Sequence, residues 1–221
     1  MSELGRYIVI EGGDGTGKTS QLNRLNTALH TLGIETLVTV SPDNGQLEPI
    51  QEPGGTARAN ELRRRIKDGS IPRTPWENVE WLTEARQSNW NELIEPALAQ
   101  GIWVPTARNY YSTIAYQGYG EGISIEKIEA YTREQVGERY MTPDLVCILA
   151  LQNEEVRQMR ITGRSEDSHK DRFESKPPEF QSAMQDGYVR YAHETGAPII
   201  DAGQSEDAVF KDIWRHVEHL L

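Results

Sequence analysis

Short apolar runs alternate with amphipathic stretches along most of the chain. The run 7–10 is followed by 18–32, in which leucines recur at helical spacing until Gly33 interrupts them. This alternation is typical of a parallel sheet covered by helices on both faces, so it predicts an α/β fold. The predicted strands are 7–10, 34–40, 102–104, 144–149 and 198–201. The predicted helices are 18–32, 57–67, 75–100, 124–140, 154–162, 178–194 and 205–221.

Two features modify this alternation. Residues 41–51 are polar and rich in turn formers, so we expect an exposed loop there. The long helix 75–100 contains Pro96, at which we expect a kink. Neither a repeat nor a linker divides residues 1–221, and the sequence therefore predicts a single domain around a sheet of about five strands.

Composition narrows the classes of partner and compartment. The formal net charge of −11 on 221 residues argues against a general nucleic-acid binder, which needs a positive surface. The single cysteine, Cys147, lies in an apolar run and is expected to be a buried, reduced thiol. The N-terminus has no apolar signal region and no run approaches about eighteen apolar residues. We therefore expect a cytoplasmic protein with no membrane partner.

The most specific chemistry lies between the first predicted strand and the first helix, where residues 12–19 read Gly-Gly-Asp-Gly-Thr-Gly-Lys-Thr. The string fits G-x-x-x-x-G-K-[ST], and its strand-to-helix context is the one that a phosphate-binding loop requires. Backbone N–H groups of such a loop surround phosphate oxygens, its lysine adds positive charge, and its threonine hydroxyl is a ligand for Mg²⁺. The alternative, a glycine-rich turn with a surface lysine, leaves four glycines within six residues unexplained.

Further strings follow in a specific order. Glu-Pro-Gly-Gly-Thr at 52–56 follows the second predicted strand, Ser112 and Ala-Tyr-Gln-Gly at 115–118 follow the third, and Pro-Asp-Leu at 143–145 opens the fourth. Together with the phosphate loop they resemble thymidylate kinase over nearly the whole chain. The resemblance implies a P-loop nucleoside monophosphate kinase fold that usually forms a homodimer. It also implies Mg²⁺-dependent transfer of the γ-phosphoryl group of ATP to a deoxynucleoside 5′-monophosphate. The residues implied for ATP are Gly12, Gly13, Gly15, Thr16, Gly17, Lys18, Thr19 and Ser20.

The resemblance also implies an acceptor site. Arg63 and Arg108 match arginines on the acceptor phosphate, Asp14 matches a carboxylate on the sugar 3′-OH, and Arg86 matches an arginine that donates to O4 of thymine. Tyr116 matches the ring that packs on the deoxyribose, although an ordinary core aromatic explains it nearly as well. The full implied acceptor set is Asp14, Glu52, Pro53, Arg63, Leu82, Arg86, Arg108, Ser112, Tyr116 and Gln117.

The implied catalytic machinery includes a short lid at about 157–177. Members of the family carry the transition-state arginine either in the phosphate loop or in the lid, and position 15 here is Gly15, so the lid must supply it. Arg160 and Arg164 are the candidates, with Arg172 behind them, whereas a solvated charge run is the alternative. The catalytic set is Lys18, Arg108, Arg160 and Arg164, and the metal set is Thr19, Glu11 and Glu52.

The sequence departs from the family pattern at four positions. Ala107 stands where an aspartate close to Mg²⁺ is usual, and Leu82 stands where a phenylalanine stacks on thymine, so stacking is lost unless Trp81 replaces it. Gln51 replaces a common arginine, Asn60 replaces a common glutamate, and the loop before Gln51 is longer than usual.

These departures leave two interpretations. One is an active kinase for thymidylate or a modified pyrimidine deoxynucleotide. The other is a nucleotide-binding sensor or partner subunit that has lost most catalysis. The lid arginines favour the enzyme, because a sensor has little need of them. A mechanical or signalling NTPase is disfavoured, since the apolar strand that ends in aspartate, 198–201, comes only near the end of the chain.

Overall fold

The computed structural model describes residues 4–163, 173 and 175–221. The strands are β1 (Tyr7–Gly12), β2 (Thr39–Val40), β3 (Leu47–Glu48), β4 (Val104–Ala107), β5 (Leu145–Ala150) and β6 (Ile199–Asp201). The α-helices are α1 (Lys18–Thr31), α2 (Ala57–Lys67), α3 (Pro75–Asn89), α4 (Glu95–Ala99), α5 (Tyr110–Thr113), α6 (Ile125–Val136), α7 (Glu138–Met141), α8 (Glu154–Thr162), α9 (Pro178–Thr195) and α10 (Glu206–Val217). In this part of the chain the parallel sheet has four strands in the order β4-β1-β5-β6.

Helices cover both faces of this sheet, as the alternating pattern predicts. Successive side chains of a strand point to opposite faces, and β1 follows this rule. Tyr7 and Val9 belong to one apolar core with α2, α3 and α9, whereas Ile8 and Ile10 belong to the other with α1 and α10. Glu11 continues the alternation. The buried Cys147 on β5 has its thiol pKa raised to about 12 by burial, as expected for an unreactive thiol.

One of the five expected strands, 34–40, does not join the parallel sheet. The prediction of about five strands is therefore corrected to four among the described residues. Isolated parallel bridges pair Thr36 with Trp103 and Gln51 with Ala107, so two separate pieces of chain line the outer side of β4. Between them, β2 and β3 pair antiparallel as a small hairpin. We call residues 39–48 the inserted hairpin. The stretch expected to be an exposed loop, 41–51, therefore holds part of this hairpin and an edge segment.

The long helix 75–100 is divided differently from the prediction. Its break is a π-helical turn, Trp90–Ile94, between α3 and α4. Pro96 follows this π-helical turn closely, in the first turn of α4, and the residues before it are helical. A proline has no N–H to donate within a helix, so the irregular turn lies beside the position of the expected kink, which stays a prediction. The helix expected at 124–140 is divided at Gly137, which has a φ of 110°.

Two features next to the third strand differ from the prediction. The expected strand 102–104 lies instead at Val104–Ala107, where Pro105 obscures the strand pattern. The following segment is helical, with α5 continuing into a π-helical turn, Ile114–Gly120, that the sequence did not predict.

Candidate active site

One cavity of about 540 Å³ lies between the phosphate loop, the inserted hairpin, and the helices α2, α3 and α5. It collects nearly all of the residues implied for the acceptor and part of the phosphate loop. Those that line it are Asp14, Gly17, Lys18, Thr19, Ser20, Glu52, Pro53, Arg63, Leu82, Arg86, Arg108, Ser112, Tyr116 and Gln117. Residues separated by up to about a hundred positions therefore face one space.

The phosphate loop has the geometry that its glycines predict. Gly12 approaches β5 so closely that a Cβ there would lie 2.3 Å from the Leu149 carbonyl oxygen. The Lys18 Nζ donates to the Gly13 carbonyl at 2.7 Å and lies 3.9 Å from an Asp14 oxygen. The lysine is thus held over the loop, and phosphate oxygens are the natural replacement for that carbonyl.

Gly15 lies directly against α8. It has a φ of 83°, and a Cβ there would lie 3.0 Å from the Arg157 carbonyl oxygen and 3.2 Å from the Arg157 Cγ. A side chain at position 15 would therefore be tight against α8 as well as strained in its backbone, which accounts for the glycine. The placement of the transition-state arginine outside the loop stays a prediction. The Arg157 side chain itself is buried and donates to Glu154 through Nε at 2.8 Å and Nη2 at 2.6 Å.

Of the candidate lid arginines, Arg160 is the one within the described residues, and it is not among those that line the cavity. It lies in the last turn of α8 and donates from Nη1 to the Ala202 carbonyl oxygen at 2.8 Å. Arg164 and Arg172 lie outside the described residues, as does much of the expected lid 157–177. The described beginning of that lid is the end of α8. The catalytic role of these arginines stays a prediction.

On the acceptor side, Arg108 is the centre of a polar cluster. Its Nη2 donates to Asp14 at 2.5 Å, and its Nη1 donates to the Ser112 hydroxyl at 3.0 Å and to the Tyr188 hydroxyl at 3.3 Å. The Tyr116 hydroxyl donates to the other Asp14 oxygen at 2.9 Å. Arg108 also has a φ of 69°, which is uncommon for a residue with a side chain and concentrates at functional sites. Asp14 and Arg108 are therefore joined directly, so both sides of the cavity are coupled.

Glu11 anchors this cluster to the sheet. Its carboxylate is fully buried and accepts from the backbone N–H groups of Gly12, Asn109 and Ser112 at 2.7 to 3.1 Å. It also accepts from the Ser112 hydroxyl at 2.9 Å. The side chain thus joins the end of β1 to the beginning of α5, and a metal ion at Glu11 has to compete with these four donors.

A second buried carboxylate, Glu52, pairs with Arg86. Glu52 accepts from the Arg86 Nε at 3.1 Å and from the Tyr140 hydroxyl at 2.8 Å, and its Oε1 is buried without a hydrogen-bond partner among the described residues. Burial raises the pKa of Glu52 to about 7 in spite of the arginine beside it. Arg86 also donates to the Thr113 hydroxyl at 2.6 Å and to the Asn109 carbonyl oxygen at 2.7 Å. Each nitrogen of Arg86 is thus used once, and only its terminal nitrogens have a second N–H for a base.

Ala107 stands where the family usually has an aspartate, and the amide side chain beside it is that of Gln51. Gln51 is the bridge partner of Ala107 in the sheet, and its Oε1 accepts from the Thr19 hydroxyl at 2.9 Å. Its Nε2 donates to Glu48 of the inserted hairpin at 3.1 Å. A hydroxyl whose proton is donated in this way keeps its lone pairs for a metal ion. The sequence marked Gln51 only as the replacement of a common arginine and did not mark Glu48, although the unusual length of 41–51 was a signal for this region.

The base end of the cavity differs from what Trp81 would supply. The Trp81 ring lies under the guanidinium of Arg65, at 4.3 Å, and is not among the described residues that line the cavity. The aromatic residues that do line it are Tyr116 and Phe173, whose rings meet edge to face at 5.5 Å. Leu82 also lines it. Replacement of the stacking ring by Trp81, the condition under which stacking would be kept, is therefore not seen, and Phe173 is an aromatic lining residue that the sequence did not mark for the site.

Arg63 has a partner from the inserted hairpin. Its Nη2 donates to the Asp43 carboxylate at 2.7 Å, and its Nη1 donates to the Gln51 carbonyl oxygen at 3.2 Å. Asp43 lies in the inserted hairpin and belongs to none of the family motifs. The sequence therefore gave no reason to expect a carboxylate beside Arg63.

The described residues contain no cluster of three or more acidic, histidine or cysteine side chains able to hold a metal ion. They also contain no helix whose length and apolar character suit a bilayer crossing.

The chain is similar to known proteins over nearly its whole length. The sequence profile of thymidylate kinase matches residues 10–213. A thymidylate kinase of Prochlorococcus marinus (strain NATL2A) is 32% identical over 219 residues, which cover 98% of each chain. One of Bradyrhizobium diazoefficiens is 34% identical over 216 residues, covering 96% of this chain and 89% of that protein.

The fold has a solved counterpart. The crystal structure of thymidylate kinase from Ehrlichia chaffeensis superposes with a TM-score of 0.71, covering 97% of this chain and 98% of that one at 22% identity. That identity supports the fold alone. The profile match and the relatives above 30% identity reach further, and they establish that the chain belongs to the thymidylate kinase family and is a nucleoside monophosphate kinase.

Proposed function

We propose that the protein transfers the γ-phosphoryl group of ATP to dTMP and forms dTDP and ADP in the presence of Mg²⁺. The observation that carries the proposal is the single cavity in which the phosphate loop faces Arg63, Arg86 and Arg108. Phosphoryl transfer needs two nucleotides held in line and positive groups near the transferred phosphate, and this cavity offers both. The names of the relatives support dTMP as the acceptor.

Each side of the cavity has a separate task in this proposal. Lys18 moves from the Gly13 carbonyl to the donor phosphates, and Arg63 and Arg108 hold the acceptor phosphate. Asp14 accepts from the sugar hydroxyl, and the Tyr116 ring excludes a 2′-hydroxyl. The Tyr116 hydroxyl already donates to Asp14, so the two groups are oriented before a nucleotide binds.

The oxygen donors present fit Mg²⁺. This ion is usually held by one or two protein oxygens together with phosphates and waters, not by an all-protein cluster. The Thr19 hydroxyl, oriented by Gln51, and the unpartnered Glu52 Oε1 would hold it or its waters. When bound, the ion neutralises charge on the β- and γ-phosphates.

Two residues are the basis of alternatives to this function. Leu82 at the base end favours a pyrimidine modified on the ring as an alternative acceptor, because leucine fills less space than phenylalanine. Ala107 is the basis of the other alternative, a catalytically weak sensor, because a carboxylate is missing beside the phosphate loop, but the kinase relatives do not favour it.

A single panel separates these functions. Purified protein is incubated with γ-labelled ATP, Mg²⁺ and, in turn, dTMP, dUMP, 5-hydroxymethyl-dUMP, dCMP and dAMP, and labelled diphosphates are resolved by chromatography. We expect transfer to dTMP above all others. Preferred transfer to the hydroxymethyl nucleotide would replace the acceptor in the proposal, and binding of dTMP without any transfer would favour the sensor.

A further inference from the structure

The inserted hairpin places a carboxylate on the arginine that is expected to receive the acceptor phosphate. Asp43 lies in the turn between β2 and β3, where Ser41 N donates to the Gln46 carbonyl oxygen at 2.7 Å. Its Oδ2 accepts from the Arg63 Nη2 at 2.7 Å, and its Oδ1 lies 3.7 Å from the Lys67 Nζ. An anion therefore already stands between two cations at the edge of the cavity.

A phosphate held by Arg63 in the usual geometry comes close to Asp43. Guanidinium groups hold phosphate best through two parallel N–H bonds from neighbouring nitrogens. Nη1 donates to the Gln51 carbonyl oxygen at 3.2 Å and Nη2 donates to Asp43, which leaves a second N–H on each of these nitrogens. Nε is buried and has no hydrogen-bond partner among the described residues. Each such pair of nitrogens includes Nη2, so a phosphate bound by the pair either shares Nη2 with Asp43 or displaces Asp43.

It is unfavourable for the phosphate and the Asp43 carboxylate to share Nη2, whereas it costs little for Asp43 to leave Arg63. A phosphate monoester carries about −1.5 to −2 charges at pH 7 and repels a carboxylate on the same nitrogen. The Asp43 side chain is 54% exposed, so its carboxylate returns to water with little change in solvation, whereas the Arg63 side chain is only 14% exposed. The arginine is held in the cavity and the aspartate is the partner that can move.

We propose that Asp43 sets the affinity of the acceptor site by occupying Arg63 when the site is empty, so that the acceptor phosphate has to displace it. This inference rests on the proposed function in that Arg63 binds the acceptor phosphate. The inserted hairpin is then a competitor that the chain itself carries, and it moves away from Arg63 when the monophosphate binds.

The test compares two ligands that differ only in the phosphate. Dissociation constants for dTMP and for thymidine are measured by titration calorimetry, without ATP, on the wild type and on Asp43→Asn. We expect the variant to bind dTMP about threefold to tenfold more tightly, the range for removing a partly exposed ion pair and its repulsion of a second anion. Thymidine binding stays unchanged, because thymidine has no group to displace Asp43.

Two further variants complete the experiment. Asp43→Glu keeps the charge and should bind dTMP like the wild type. Asp212→Asn removes an aspartate that also pairs with an arginine at 2.7 Å, on α10, and it should alter neither constant, since Asp212 is not among the described residues that line the cavity.

Three results would overturn the inference: weaker or unchanged dTMP binding in Asp43→Asn, equal tightening for thymidine, or equal tightening in Asp43→Glu. Weaker binding would mean that Asp43 orients Arg63 for the phosphate. Failure of the proposed function is recognised separately, because it appears as the absence of labelled diphosphate from the wild-type protein.

Discussion

Each arginine among the described residues that line the cavity already donates to a carboxylate. Arg63 pairs with Asp43, Arg86 with Glu52, and Arg108 with Asp14. Lys18 and Lys67 bring the lining cations to five, against four carboxylates with Glu48 included. On a chain of net charge −11, the anionic substrates are therefore bound by local donors and not drawn in by a positive surface.

The buried carboxyl of Glu52 makes stability depend on pH. Its pKa is raised from 4.5 to about 7 in the folded protein, so the folded state holds its proton more tightly than the unfolded state does. This contribution to stability is complete below pH 4.5 and is lost as the pH rises through 7. We expect the unfolding free energy from urea titrations to fall between pH 5 and pH 8 by up to about 3 kcal/mol more in the wild type than in Glu52→Gln.

The comparison needs a control because other groups titrate in the same range. Glu138→Gln removes an exposed carboxylate that pairs with Arg133, and its stability should follow pH as the wild type does. Identical pH slopes for the wild type and Glu52→Gln would contradict a raised pKa.

The alanine at position 107, where the family usually has an aspartate, leads to a second prediction at this scale. Ala107 pairs with Gln51 in the sheet and lines the cavity, so an aspartate there would lie near the Thr19 hydroxyl. We expect Ala107→Asp to raise turnover at limiting Mg²⁺ by about tenfold, the lower end of effects on residues around a metal site. Turnover is titrated against Mg²⁺, with Ala107→Asn as the uncharged match. Equal curves for all three proteins would mean that Glu48 and Gln51 already fill the role.

At the scale of elements, the site is built from the ends of helices and strands. Thr74 begins α3 with a reciprocal pair of hydrogen bonds: the Thr74 hydroxyl accepts from Glu77 N at 3.2 Å, and the Glu77 carboxylate accepts from Thr74 N at 2.7 Å. This helix carries Leu82 and Arg86 into the cavity. The cap is far from the phosphate loop in sequence, yet it contributes to the position of the base end.

Loss of this cap should lower stability. We expect Thr74→Ala to reduce the unfolding free energy by about 1 kcal/mol and Tm by about 2–4 °C, measured by calorimetry. Thr27→Ala is the matched control, because Thr27 is exposed within α1 and donates only to the Asn23 carbonyl oxygen. An alanine there should be neutral or stabilising. If Thr27→Ala lowers Tm as much, the cap does not stabilise α3.

The lid gives the second prediction for an element. Arg160 donates to Ala202 and does not reach the cavity, so it has to leave that carbonyl before it acts on a phosphate. We expect Arg160→Ala or Arg164→Ala to lower kcat by about 10³-fold with a smaller effect on the acceptor KM, as for other arginines that act in the transition state. Arg133→Ala, at a half-exposed position of α6 that does not line the cavity, should keep wild-type kinetics. If both lid variants keep their kcat, the lid is only a cover.

At the scale of the whole molecule, both nucleotide sites belong to one set of packed layers. β1 lies in the middle of the four-stranded sheet, and the phosphate loop follows it directly. Both apolar cores reach β1, one on each face. Ligands that bind only the folded state therefore stabilise the entire unit. The expected homodimer and single domain stay predictions.

Nucleotide binding should appear as thermal stabilisation, with separate contributions from the two sites. At a concentration of 100 Kd, dTMP should add about 2.7 kcal/mol and raise Tm by about 5–11 °C. In Lys18→Ala we expect the shift with ATP and Mg²⁺ to be lost together with turnover, while the shift with dTMP remains. Retained turnover would remove Lys18 from the mechanism, and loss of both shifts would mean that the variant does not fold normally.

The sequence predicts an element well when the signal for that element lies in neighbouring residues of the chain. The helices at 57–67 and 154–162 are predicted with the bounds observed, because the apolar spacing lies within the helix and the capping residues lie directly beside it. The phosphate loop was equally predictable, since its glycines and Lys18 are contiguous. The split edge of the sheet was not, because a strand there depends on the pairing of 34–52 with β4. Residues 164–172 lie outside the described structure, so the lid remains a sequence prediction.

The sequence by itself determined the layered α/β class through its periodicity and the phosphate-binding loop through a contiguous motif. Most of the residues that line the cavity came from the resemblance to the thymidylate kinase family, which the sequence carries in short strings. Only the tertiary structure decided which charges meet. It placed Asp43 on Arg63, Gln51 between Thr19 and Glu48, and Glu52 beside Arg86 in a buried position. The physical reason is that burial and pairing arise between segments distant in the chain, and they set the charge state and the free donors of each side chain.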